Sequence, residues 1–150
     1  MIRTARMADV ESILRLINNY ANQGLMLPRS PFDIYRKLTA FCVCEVDGKV
    51  IGCSHLSIVW KDLAEVASLA VDSEYKGKGY GRDLVEWQKT QAESLGIARL
   101  FTLTYQVGFF EKCGFHQIEK EQLPHKVFGD CLRCPKIDNC DEHALIYDIK

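Results

Sequence analysis

No apolar run in this chain approaches the roughly 20 residues that a membrane-crossing helix requires, and the first residues, MIRTARMADV, lack the unbroken apolar stretch of a secretory leader. A cytoplasmic location with no membrane partner is the expectation that follows. Excess charge is missing too, since 19 Lys and Arg stand against 20 Asp and Glu for a formal net charge of -1. Nucleic-acid binders carry a basic patch or stripe, so a nucleic-acid partner is not expected. Proline is scarce, at 4 residues, and neither an internal repeat nor a low-complexity linker interrupts the chain. Its 150 residues suffice for one substantial core, and residues 1–150 are expected to form a single domain. No H-E-x-x-H or comparable open-site spacing is present, so no catalytic metal is expected.

Cysteine is not scarce. The count of 7 is odd, which argues against a disulfide framework and for thiols held as small buried groups or metal ligands in a reducing compartment. Three of them fall in a Cys-rich segment, residues 130–143, as Cys131-x2-Cys134-x5-Cys140-x2-His143. That set either holds a structural zinc or packs a loop against the sheet.

Hydrophobic spacing predicts a strand over Ile2 to Ala5, then an amphipathic helix carrying Val10, Ile13, Leu14 and Ile17. A loop from Gly24 to Arg29 leads to Ser30-Pro31-Phe32-Asp33, a helix start with a capping hydroxyl and proline at the first position. Phe41 to Val46 and Val50 to Trp60 read as strands joined at the hairpin dipeptide Asp47-Gly48. A strand over Glu65 to Val71 follows, then a long helix from Gly79 with Leu84, Trp87 and Leu95 on its apolar side and Gly96 as its stop. Leu100 to Tyr105 reads as a strand, a short helix runs to Cys113, and Ala144 to Ile149 supplies a last strand. The order implies an α+β fold, a mixed sheet flanked by helices.

Between the strand ending at Val71 and the long helix lies EYKGKGYGRDL, Glu74 to Leu84. Glycines at 77, 79 and 81 let backbone amides approach a ligand without a side chain in the way, and the turn opens into a positively polarised helix end. Lys76, Lys78 and Arg82 add charge, so a pyrophosphate-bearing ligand suits the turn better than any other. A dinucleotide fingerprint or a P-loop would need different glycine spacing.

The pattern from Lys76 to Gly81, basic-x-x-G-x-G after the strand EVASLAV, resembles the acetyl-CoA signature of the GNAT family of N-acetyltransferases, which usually has Gln or Arg where this chain has Lys76. FFEKCGF, Phe109 to Phe115, extends the resemblance. It implies a central, mostly antiparallel sheet, acetyl-CoA as co-substrate, and a small-molecule amine that attacks the thioester directly in a ternary complex, with a possible homodimer. It further implies Glu65 as general base, and a cofactor site made of Leu69, Ala70, Val71, Lys76, Gly77, Lys78, Gly79, Tyr80, Gly81, Arg82 and Phe110. Phe110 stands where many members have the Tyr that protonates the departing thiolate; Tyr105 is the nearest substitute.

The segments Gly24 to Ser30, Trp60 to Glu65, LPHK from Leu123 and DCLRCPKIDNCDE from Asp130 resemble short bacterial amino-acid N-acetyltransferases that act on glutamate. That narrower likeness implies Arg29 and Ser30 as substrate-binding residues, because a guanidinium grips a carboxylate with two parallel hydrogen bonds. Ser57 and Ala67 stand where that group tends to have His and Arg. Glutamate is therefore the first acceptor to test, while a polyamine acceptor and a non-catalytic acyl-CoA sensor are the alternatives. Cys113 as a nucleophile would make the reaction ping-pong instead, but no paired base lies near it in sequence.

Overall fold

A computed structural model describes residues 1–123 and 142–149. Its elements are β1 (Ile2–Thr4), α1 (Val10–Ala21), α2 (Pro31–Lys37), β2 (Phe41–Val46), β3 (Lys49–Trp60), β4 (Leu63–Val71), α3 (Tyr80–Ser94), β5 (Arg99–Thr104), α4 (Val107–Lys112), β6 (His116–Ile118) and β7 (His143–Asp148). The strands form one sheet in the order β1-β2-β3-β4-β5-β7-β6. Every neighbouring pair is antiparallel except β4 and β5, which run parallel because α3 carries the chain across the sheet between them. The mixed, mostly antiparallel sheet flanked by helices is thus present.

Helices cover both faces, and β2 shows how the sequence is written for that. Phe41 and Val43 point into a core with Ile13 and Ile17 of α1 and Ile34 of α2. Cys42 and Cys44, at the intervening positions, join Ile51 and Leu84 of α3 on the other face. A strand buried on both sides reads as a continuous apolar run, not an alternating one. Small cysteines supply volume there, and burial pushes the Cys42 thiol up to about 12 and raises those of Cys44 and Cys53 as well. Cys42, Cys44, Cys53 and Cys113 are free and buried; Cys131, Cys134 and Cys140 lie outside the described residues.

Local signals act as their chemistry requires. Ser30 Oγ accepts the Asp33 amide at 3.2 Å and caps α2, with Pro31 at its first position. Asp47 and Gly48 both take positive φ, 51° and 77°, which closes the β2–β3 hairpin in a mirror-image turn. Arg3 of β1 donates to both carboxylate oxygens of Asp9 at 2.7 and 3.0 Å and to Glu45 Oε1 of β2 at 2.7 Å, pinning the edge strand to the chain that enters α1. The Arg3 guanidinium holds the Asp9 carboxyl below the usual carboxylate range.

Some boundaries differ from the periodicity reading. β1 ends at Thr4, β4 begins at Leu63, β5 ends at Thr104 and leaves Tyr105 in the following loop, and β7 spans His143–Asp148. Leu95 is not on the apolar side of α3: it is the C-cap and 62 % exposed, and Ala92 and Ile97 enter the core in its place. A helix that stops at a glycine, here Gly96 with φ 83°, turns its last residue out of the 3.6-residue stripe. Among the described residues no helix is long and apolar enough to cross a membrane.

Candidate active site

The parallel pair is short. β4 and β5 match only at Leu63–Arg99, Ala64–Leu100 and Glu65–Phe101, and the last link beyond is the Thr102 hydroxyl donating to the Val66 carbonyl at 3.1 Å. Further on the strands part around a cavity of about 640 Å³, lined by β4 on one side and Leu103 to Gln106 on the other.

A bulge decides what β4 offers to that gap. The β3–β4 register slips between Cys53 and His55, and Ser68, on the β4 side of the slip, takes φ 52°. Beyond it, the Asp72 amide donates to the Ile51 carbonyl at 2.7 Å, so the neighbouring Gly52–Val71 pair is the one without mutual hydrogen bonds. The peptide groups of Val71, and by alternation those of Leu69, therefore face away from β3 into the gap. Ala70 behaves otherwise. It pairs with Cys53, its peptide groups turn to β3 and its side chain is buried.

The glycine turn closes one end of the gap. Gly77 and Gly79 have φ 76° and 89°, and a Cβ on either would meet no atom within 4 Å; backbone shape, not crowding, demands glycine there. Gly79 caps α3, whose first amides have no helical acceptor and point out of the helix end. Gly81 is needed for a different reason than the one read from sequence. It lies inside the helix, and a Cβ would meet the Phe109 ring at 3.2 Å, so its absence lets α4 approach.

Lys76, Tyr80 and Arg82 line the cavity. Lys78 does not; its Nζ sits 5.6 Å from the centre of the Tyr75 ring, and Lys49 Nζ 5.9 Å from the same ring. Backbone amides, an oriented helix end and two lining cations suit phosphate oxygens, and the gap is open where Leu69 and Val71 could pair with an amide-bearing arm. The residues present fit coenzyme A.

Glu65, Arg29 and Tyr105 also line the cavity. Glu65 sits where β4 still pairs with β5, directly opposite Ser57 of β3. Arg29 comes from the loop between α1 and α2, and its Nε is buried with no hydrogen-bond partner among the described residues. Ser30 is exposed, does not line the cavity and spends its hydroxyl on the α2 cap. Phe110 is 3 % exposed and packs edge-on against Phe109 and Phe115 with centroids 5.0 and 5.3 Å away, so it offers the cavity a ring edge and no proton. Cys113 also reaches the cavity, but burial raises its thiol, which disfavours the thiolate that a nucleophile needs. His143 opens β7 and is exposed.

Sequence reasoning missed Tyr20, Met26, Thr104 and Phe109, all of which line the cavity. Phe109 was legible as part of the quoted FFEKCGF segment. Nothing near Tyr20 in the sequence marks it, because its partner Val71 is 51 residues away.

One cavity thus carries both a backbone turn suited to phosphate oxygens and ionisable side chains able to meet a second reactant, the combination a group-transfer enzyme needs. The family described as Acetyltransferase (GNAT) matches residues 9–115, and the chain belongs to it. An uncharacterized N-acetyltransferase of Chlorobaculum tepidum is 41% identical over 97% of this chain and 94% of its own length. An amino-acid acetyltransferase of Mycobacterium tuberculosis is 34% identical over 89% of this chain and 78% of its own length. The solved N-acetylglutamate synthase of Neisseria gonorrhoeae, complexed with coenzyme A and N-acetyl-glutamate, superposes with TM-score 0.89 at 30% identity, covering 100% of this chain and 35% of that one. The protein is an acetyl-CoA-dependent N-acetyltransferase.

Proposed function

We propose that the acceptor is the α-amino group of an amino acid, with glutamate the first candidate, and that residues 1–150 act as one catalytic domain. The reading is carried by Arg29, a guanidinium on the cavity wall whose Nε is buried with no hydrogen-bond partner among the described residues. A carboxylate beside the reacting amine satisfies that group, and Glu65 stands on the same cavity. Relatives named for amino-acid acetylation support the class.

Arg29 binds the acceptor carboxylate and orients the amine. An ammonium has no lone pair, so Glu65 takes a proton from it, directly or through a water. Acetyl-CoA supplies an activated acyl group. The neutral amine attacks the thioester carbonyl carbon, the C–N bond forms, and the C–S bond breaks with its electron pair on sulfur. The nitrogen passes its second proton to water as the amide forms, and the thiolate takes one from solvent or Tyr105. Outward amides of Leu69 and Val71 orient the pantetheine arm and stabilise charge on the carbonyl oxygen. With Phe110 in place of a hydroxyl-bearing ring, the thiolate departs without an acid at that position.

Thiol release across amino acids and polyamines tests the reading. Turnover of an amino acid, with its KM raised about 10- to 100-fold in Arg29→Ala while the acetyl-CoA KM holds, is the expected result. Turnover of polyamines alone sinks it.

A further inference from the structure

Tyr20, in the last turn of α1, is bonded in three directions. Its hydroxyl donates to the carbonyl of Val71, one of the two β4 residues whose peptide groups face the gap. Its ring carries the Lys76 ammonium 4.8 Å from the centroid. Its own carbonyl accepts the amides of Gln23 at 3.0 Å and Leu25 at 3.1 Å, the start of the loop that ends in Arg29. One residue thus touches the cofactor strand, the basic turn and the acceptor loop.

We propose that Tyr20 is a positioning residue that couples acetyl-CoA binding to the order of the loop from 22 to 30. A donor in the gap holds the Val71 peptide through its outward amide and holds Lys76 through a phosphate. Both groups hold Tyr20, and Tyr20 holds the first amides of the loop. Tyr20 itself takes no part in bond making. Since coupling between two sites is reciprocal, an acceptor held by the loop tightens the donor by the same factor. The relevance of the loop to the acceptor rests on Arg29 being its clamp; the coupling of donor to loop does not.

Hydrogen exchange at the Gln23 and Leu25 amides, with and without saturating CoA, tests this directly. In the wild type CoA should slow exchange about tenfold or more, and in Tyr20→Phe by less than about twofold, although CoA still binds. The acetyl-CoA KM of Tyr20→Phe should rise about three- to tenfold with kcat within about twofold, a split that a general loss of folded protein does not produce. Lys76→Met, which leaves α1 untouched, should show less than half the wild-type slowing. Equal slowing in both variants, or none in the wild type, overturns the proposal. Coupling that persists while no carboxylate-bearing amine is turned over removes only the acceptor assignment.

Discussion

At the glycine turn the cavity wall is mainly backbone, from Gly77 into the first turn of α3 and along Leu69 and Val71 of β4. Elsewhere the same cavity is walled by ionisable side chains, Arg29 and Glu65, from a loop and a strand far apart in the chain. A backbone site depends on φ and ψ, so it is sensitive to the loss of glycine and less so to the side chains around it. A side-chain site is the reverse. Its chemistry rests on which side chain stands at each position. This contrast explains why the donor is established and the acceptor is a proposal.

Substitutions at four positions probe the contrast, from the largest effect to the smallest. Glu65→Gln removes a base without moving the strand, and kcat should fall about 100-fold or more with the acetyl-CoA KM unchanged. A rise in that KM instead would assign Glu65 to the donor end. Gly79→Val forces a β-branched residue to φ 89°; a cost of about 1–2 kcal/mol corresponds to roughly a tenfold rise in acetyl-CoA KM, with acceptor KM little changed. Equal damage to both constants would mean that the turn supports the whole gap.

Ser68 gives a smaller effect because it already bears the strain. With φ 52° at the bulge, Ser68→Val should raise acetyl-CoA KM about threefold, and Ser68→Gly should leave it within about twofold. If both variants match the wild type, the bulge does not set the amides of Leu69 and Val71. Asp9→Asn marks a fold lesion away from either end, and neither KM should move. Its carboxyl titrates lower folded than unfolded, so the stabilisation it provides is present above about pH 4 and is lost as pH falls through the folded value. Urea midpoints measured at pH 6 and pH 3 should converge for wild type and variant at the lower pH; a constant gap would show that the Arg3 pair is not responsible.

The legibility of the molecule follows the same division. The α2 cap at Ser30, the Asp47-Gly48 turn and the Gly77–Gly79 turn were readable because each is a local conformational demand met by adjacent residues. Arg29 and Glu65 were readable as candidates only through resemblance, and their common cavity came from the fold. Leu95 was misjudged because its place turns on the angle at which a helix ends, and neither the engagement of the Ser30 hydroxyl nor the alternation that turns Ala70 to β3 could be seen without the fold. Tyr20 could not be read at all.

By itself the sequence determined the elements, the helix-end anion site and the family, since periodicity, capping and positive φ are properties of neighbouring residues. Tertiary structure alone decided the parting of β4 from β5, the direction in which Leu69 and Val71 present their amides, and the meeting of Tyr20 with Val71 and Lys76. Those depend on the register between strands and on packing across long sequence separation, where the energy of a contact is shared by residues that carry no local mark of one another.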